Sequence, residues 1–186
     1  MNEIYYDYVD YWKNEGELSK IDSLSFRLTK EHEVQEQPII DAVKEINPKT
    51  ILEIGAGWGR IAKLLRGAGV ESQYTAMDLS YHRLKQITDK TIGRIVTDFF
   101  TYAEDIHYDT ILAIEVLMHI PPDIIEDFVA KMKRYADTII ILDYDPESPR
   151  DIELADHNFQ HDYDKLFPDA EVTQVNYVQK MRVWKK

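Results

Sequence analysis

The sequence predicts an α/β fold: a doubly wound, seven-stranded, mostly parallel sheet with helices on both faces and an antiparallel hairpin at its C-terminal end. Three observations carry this. Residues 50–54 (TILEI), 109–116 (DTILAIEV) and 137–142 (DTIIIL) are short, almost continuously apolar runs separated by stretches with helical spacing. Strands of that kind are buried on both faces, as in a parallel sheet covered by crossover helices. Residues 50–60, TILEIGAGWGR, run from buried strand through a glycine turn into a helix start. Finally, Glu171 to Val178 alternates as EVTQVNYV, and a second strand from Met181 to Lys185 follows after only Gln179 and Lys180. Two strands so close must pair antiparallel, because a parallel return needs a long crossover.

Taken in order, residues 1–30 form a polar lead-in rich in aromatics, with Tyr5, Tyr8 and Trp12 at helical spacing beside Tyr6 and Tyr11. The segment is either a helix packing its rings on the domain or a lid over a substrate pocket. Gly16 and Ser19 are placed to end it. A helix from Glu33 to Ile46 carries Ile39, Ile40, Val43 and Ile46 on one face, with Pro38 marking its true start and Asn47-Pro48 its end. After the glycine turn, Ile61, Leu64 and Leu65 make the apolar face of a second helix that stops at Gly67-Ala68-Gly69. A strand over residues 73–77 reaches Asp78, and Ser80 caps a helix bearing Leu84 and Ile87. A strand over 92–97 leads to Asp98, Phe99 and Phe100. Pro121-Pro122-Asp123 opens a helix with Ile125, Phe128, Val129 and Met132 inward. The whole, residues 1–186, reads as one domain with no repeat or linker.

Composition narrows the function classes. Lys plus Arg number 22 and Asp plus Glu 34, a net charge of −12. That balance speaks against a broad phosphate-backbone surface, so no nucleic-acid partner is expected. There are no cysteines, which excludes disulfides, thiolate metal sites and a cysteine nucleophile. The first residues, MNEIYYDYVDYW, lack the basic and apolar regions of a secretory signal, and no apolar run approaches the ~18 residues of a membrane span. A cytoplasmic location without membrane partners is the expectation.

The glycine turn has an acidic residue, Glu53, two positions before its first glycine, giving E-x-G-x-G-x-G through Gly55, Gly57 and Gly59. A dinucleotide fingerprint would set its third glycine three residues after the second, where this chain has Arg60. A glutamate there would also repel a pyrophosphate, whereas it suits a cation such as the ammonium of a methionine moiety. The motif resembles the first motif of class I S-adenosylmethionine-dependent methyltransferases. The antiparallel final strands resemble that family too, so the likeness covers about residues 35–186.

The resemblance implies a cofactor, S-adenosylmethionine, and residues that hold it at successive strand ends. These are Glu53, Gly55, Ala56, Gly57 and Gly59 in the turn, Asp78 with Leu79 at the ribose, Asp98 with Phe99 at the adenine, and Glu115 with Val116 after the fourth strand. Arg27 or Lys30 is placed to pair with the cofactor carboxylate. Each acid has a plainer reading, as a helix cap or a surface group; the order of glycine turn, acid, acid and E-x-x-x-H is what favours the cofactor. The family's Asn-Pro-Pro-Tyr tetrapeptide is missing, and Glu115-Val116-Leu117-Met118 stands in its place. That looks more like the branch acting on small molecules.

The expected reaction is methyl transfer to an oxygen or nitrogen of a small or modest-sized acceptor. The alternative is a catalytically silent binding module on the same fold. His119, His157 and His161 are the candidates for a base. His119 follows the fourth strand, where it either takes a proton or merely caps backbone carbonyls. His157 and His161 are four apart and would share a face if helical, lining the acceptor side. With Asp162 they could hold a metal, but a hydrogen-bonded loop is the simpler reading and no metal is expected. His32, His82 and His107 read as ordinary.

Overall fold

Side chains alternate across a strand, so a strand buried on both faces feeds two cores. In the computed structural model, which describes residues 7–18, 30–103, 106–145 and 157–186, this is how the sheet is used. Leu52, Ile54, Ile111, Ala113, Ile139 and Ile141 enter one core with Phe128, Val129 and Met132. Ile51, Leu112, Ile114, Ile140 and Leu142 enter the other with Ile39, Val43, Ile61 and Leu65.

The elements in chain order are α1 (Tyr8–Leu18), α2 (Lys30–Ile46), β1 (Thr50–Ile54), α3 (Arg60–Gly67), β2 (Gln73–Asp78), α4 (Tyr81–Leu84) and β3 (Ile92–Val96). There follow β4 (Tyr108–Ile114), a 3-10 turn (Leu117–His119), α5 (Ile125–Tyr135), β5 (Ala136–Tyr144), α6 (Tyr163–Leu166), β6 (Glu171–Gln174) and β7 (Gln179–Lys185). The seven strands lie in the order β3-β2-β1-β4-β5-β7-β6. The first five are parallel, and β7 inserts antiparallel between β5 and β6. The chain therefore leaves β1 to one side and returns at β4 on the other, which opens a crevice at the carboxyl ends of β1 and β4. Among the described residues, no helix is long and apolar enough to cross a membrane.

Several boundaries differ from expectation. α2 begins at Lys30 and runs through Pro38 rather than starting there. The hairpin turns at residues 175–178, not at Gln179-Lys180, because the Asn176 side chain accepts the N–H groups of Val178 and Gln179, both at 2.9 Å. Residues 157–162 are not helical, so His157 and His161 do not share a helix face. α4 is a single turn, though Ser80 caps it as expected by accepting from the Arg83 N–H at 3.3 Å.

Gly59, at φ 83, leads into α3, and a Cβ there would stand 2.7 Å from Ile87 Cγ1. Gly67 ends α3 with open space around it. Gly59→Ala should destabilise the protein by about 1–3 kcal/mol, from left-handed strain plus the clash. Gly67→Ala should instead stabilise it by roughly 0.5 kcal/mol, because only the unfolded chain loses freedom. Urea titration of both variants checks the opposite signs.

Candidate active site

A cavity of about 560 Å³ opens at the carboxyl ends of β1, β2 and β4. Its lining includes Glu53, Gly55, Ala56, Gly57, Asp78, Leu79, Asp98, Phe99, Glu115 and Val116. Strand ends otherwise far apart in sequence therefore meet in one space. Gly59 is absent from the lining; its left-handed backbone closes the turn behind it.

The glycine loop is built by close approach. Gly55 has φ 69, and a Cβ on it would sit 2.5 Å from Val116 Cγ2, so the loop after β1 packs directly on the turn after β4. The Gly57 N–H donates to Asp78 Oδ2 at 2.7 Å, and the Ser80 N–H donates to Asp78 Oδ1 at 2.8 Å. Asp78 thus braces the loop while facing the cavity, each oxygen keeping a further lone pair. Burial pushes its carboxyl pKa up, against the lowering effect of those two backbone bonds.

Glu53 is 3% exposed and accepts a hydrogen bond from the Tyr74 hydroxyl at 2.7 Å. Burial outweighs the Tyr74 bond and the Arg60 charge and raises its carboxyl to about 8. At neutral pH the acid is therefore mostly protonated in the protein alone, which corrects the picture of a standing negative charge beside the glycines. A cation arriving there would draw the proton off.

Asp98 holds its own loop, accepting from the N–H groups of Phe100 at 3.1 Å and Thr101 at 3.2 Å. It also accepts from the Tyr8 hydroxyl at 2.8 Å, which pins α1 over the cavity. Phe99 is only 2% exposed, with its ring 5.2 Å from Phe128 and 5.9 Å from Tyr135, so most of it serves the core rather than an open ring face.

Glu115 departs furthest from a simple strand end. It has φ 58, a left-handed backbone unusual for this residue type, and its N–H donates to Leu142 O at 2.7 Å. Its carboxylate accepts from Gln35 at 3.0 Å and Gln179 at 2.9 Å, with Arg60 at 3.7 Å and His32 at 3.5 Å. Burial would raise its pKa, but His32, Arg60 and Gln35 prevail and hold the carboxyl below its usual range. None of these partners was assigned to Glu115 from the sequence, and His32 read there as ordinary. The only trace was Gln35 and His32 lying three apart, on one side of α2.

The three candidate histidines separate. His119 and His157 line the cavity beside Tyr11 and Trp12 of α1. The His119 ring is 4.6 Å from Trp12 and 5.5 Å from His157, whose own ring stacks on Tyr11 at 4.8 Å. His119 Nδ1 lies 3.2 Å from the carbonyl oxygen of His157. A carbonyl can only accept, so Nδ1 carries the hydrogen and Nε2 the lone pair. Burial lowers the His119 pKa to about 4, so the ring is neutral at physiological pH. His161 does not line the cavity. It is 5% exposed, with Nε2 3.0 Å from the carbonyls of both Leu117 and Ile120. It straps the turn that carries His119, which corrects its assignment to the acceptor side. Arg27 lies outside the described residues, as do the side chain of Lys30 and residues 1–6 and 19–29 of the lead-in.

The sequence profile of a family described as a methyltransferase domain matches residues 52–138, the stretch from within β1 to the start of β5. Over those residues the chain is similar to a methyltransferase domain. Solved structures agree in fold. Magnesium protoporphyrin IX methyltransferase (ChlM) from Synechocystis PCC 6803, with S-adenosylmethionine bound, superposes with a TM-score of 0.72 at 14% identity, over 98% of each chain. The methyltransferase domain of bacterial CtHen1 gives 0.68 at 16% identity, over 83% of this chain and 99% of that one. TehB from Haemophilus influenzae gives 0.65 at 15% identity, over 80% of this chain and 61% of that one. No curated protein matches it in sequence.

The buried carboxyl of Glu53 makes the stability of the protein depend on pH. Its folded pKa, about 8, lies above the ordinary value of 4.5, so between those values the native state holds a proton the unfolded chain has lost. Stability therefore falls as pH rises from about 4.5 toward the folded pKa of about 8 and levels off above it. Glu53→Gln removes that dependence, so its stability relative to wild type should increase between pH ~6 and pH ~9 in urea titrations. A constant difference across that window would show that Glu53 is not held neutral.

Proposed function

We propose that this protein transfers a methyl group from S-adenosylmethionine to an oxygen or nitrogen of a small or modest-sized acceptor. The observation that carries the reading is continuity. One cavity of about 560 Å³ joins the glycine loop, Asp78 and Asp98 to the neutral imidazole of His119. That volume falls within the roughly 300–1,000 Å³ of pockets that enclose small ligands. Relatives of the same fold act on small molecules by name, among them magnesium protoporphyrin IX methyltransferase and human N-acetylserotonin methyltransferase.

The residues fit the cofactor. Glu53 supplies a carboxyl for the ammonium group, Asp78 acceptors for the ribose hydroxyls, and Asp98 an acceptor near the adenine. Gly55, Ala56 and Gly57 let the backbone approach closely, with Leu79 and Val116 as apolar walls. The bound cofactor supplies an electrophilic methyl group on a sulfonium. The protein's remaining work is alignment and proton removal. Trp12 and Tyr11 place α1 as a wall that excludes water from the acceptor end. His119 Nε2 is the lone pair that takes the acceptor's proton, with Nδ1 anchored by the carbonyl of His157. The imidazole stays neutral because burial disfavours its cation.

Calorimetry should find S-adenosylhomocysteine bound in the micromolar range and NAD ignored. Asp78→Ala should weaken cofactor binding at least about tenfold, since charge-assisted hydrogen bonds contribute roughly 1.5–3 kcal/mol each. Unchanged affinity in a folded variant would leave Asp78 as a loop brace only.

His119→Ala should retain cofactor affinity and lower turnover about 10²-fold or more, the usual range for a general base. An acceptor screen followed by S-adenosylhomocysteine release supplies the assay. Wild-type turnover in that variant would reduce catalysis to positioning alone.

A further inference from the structure

We propose that the acceptor is a planar aromatic ring bearing a hydroxyl, and that the phenolic oxygen receives the methyl group. This rests on the methyl-transfer reading above and names its acceptor class.

The acceptor end is walled by rings. Tyr11 and Trp12 from α1 meet His119 and His157 with centroids between 4.6 and 5.7 Å apart. Flat, polarisable walls favour a flat guest, through offset or edge-to-face contact. Two buried polar atoms of cavity-lining residues, Trp12 Nε1 and Asn158 Oδ1, lack hydrogen-bond partners among the described residues. A stranded donor and a stranded acceptor are each costly to bury. A hydroxyl, which both donates and accepts, can satisfy either one once its side chain turns toward the guest.

Charge argues against the other acceptors. The Arg83 guanidinium lies 5.4 Å over the Trp12 ring, so a cationic amine would meet like charge. Glu115, the acid whose charge acts on His119, is already engaged by Gln35, Gln179, Arg60 and His32. A carboxylate acceptor arrives ionised and would leave the neutral His119 idle. A phenol, with a pKa of roughly 10, arrives protonated and needs a base. The step balances: as the oxygen–methyl bond forms and the sulfur–methyl bond breaks, the electron pair of the broken bond stays on sulfur, giving the neutral thioether. The phenolic proton passes to His119 Nε2, and then to solvent.

The test uses the whole chain with four probes: catechol, 2-naphthol, cyclohexanol and cyclohexylamine. Binding of each to protein saturated with S-adenosylhomocysteine is followed by calorimetry, and turnover with S-adenosylmethionine by thioether release. The two aromatic alcohols should bind at least about tenfold more tightly than the two aliphatic probes, with Trp12→Ala removing most of that preference and Trp12→Phe restoring part of it. Asn158→Leu, a second variant independent of α1, should weaken 2-naphthol binding and leave cofactor affinity unchanged. Cofactor binding together with equal or better binding of the aliphatic probes overturns the aromatic acceptor and leaves methyl transfer standing. So does cofactor binding with no aromatic alcohol bound at all. Absence of cofactor binding in the wild type overturns the methyl-transfer reading, and the acceptor class with it.

Discussion

The carboxylate of Glu115 is the interaction on which the site depends. A buried carboxylate is costly unless charge and hydrogen bonds surround it. Its partners come from α2 (Gln35, His32), the first residue of α3 (Arg60) and the first residue of β7 (Gln179). Elements far apart in sequence are therefore tied at the carboxyl end of β4. The same residue turns the chain with φ 58, which ends β4 abruptly and starts the 3-10 turn carrying His119. Val116, next in sequence, packs against Gly55 and leaves no room for a side chain there. Replacing Glu115 would loosen the glycine loop and the base-bearing turn together.

Burial also sets the electrostatics of the cavity. It holds four carboxyl groups, at Glu53, Asp78, Asp98 and Glu115, yet they are not equivalent. Glu115 stays ionised because Arg60, His32 and amide donors reach it, whereas among the described residues the Tyr74 hydroxyl is the one direct hydrogen-bond partner of Glu53, which is pushed up to about 8. The pocket thus avoids an uncompensated anion, and negative charge at Glu53 appears when a cation is present to stabilise it. Asp78 and Asp98 are occupied by backbone N–H groups, which hold their loops before any ligand arrives.

Much of this was legible in the sequence, because parallel strands buried on both faces leave a dense apolar signature and glycine turns a spacing signature. The runs at 50–54 and 137–142, the antiparallel ending and the acids at strand ends all needed only local pattern. What was hidden depended on long-range contact. Nothing near Glu115 points to Gln179 or Gln35, which lie 64 and 80 residues away. Tyr74 reads as a strand residue, and only the β1–β2 register sets it beside Glu53. The hairpin was displaced because Asn176, an ordinary turn residue in the alternating run, captures two backbone N–H groups and fixes the bend earlier.

The histidines show how far residue type alone can carry a site. His119 and His161 are both partly or wholly buried, and both have pKa values lowered by burial. Their roles diverge on which nitrogen is committed. His161 places Nε2 between the carbonyls of Leu117 and Ile120, so that nitrogen must donate and the ring strengthens the turn. His119 commits Nδ1 to a carbonyl of the loop after β5, which leaves Nε2 as an acceptor on a ring that lines the cavity. One ring fixes the backbone of the turn from behind, and the other is aimed by that turn and by the His157 carbonyl. The base is thus held from two loops at once, and its tautomer follows from backbone geometry rather than from a carboxylate partner. That arrangement keeps the imidazole neutral and oriented without adding another charge to a cavity that already holds four acids.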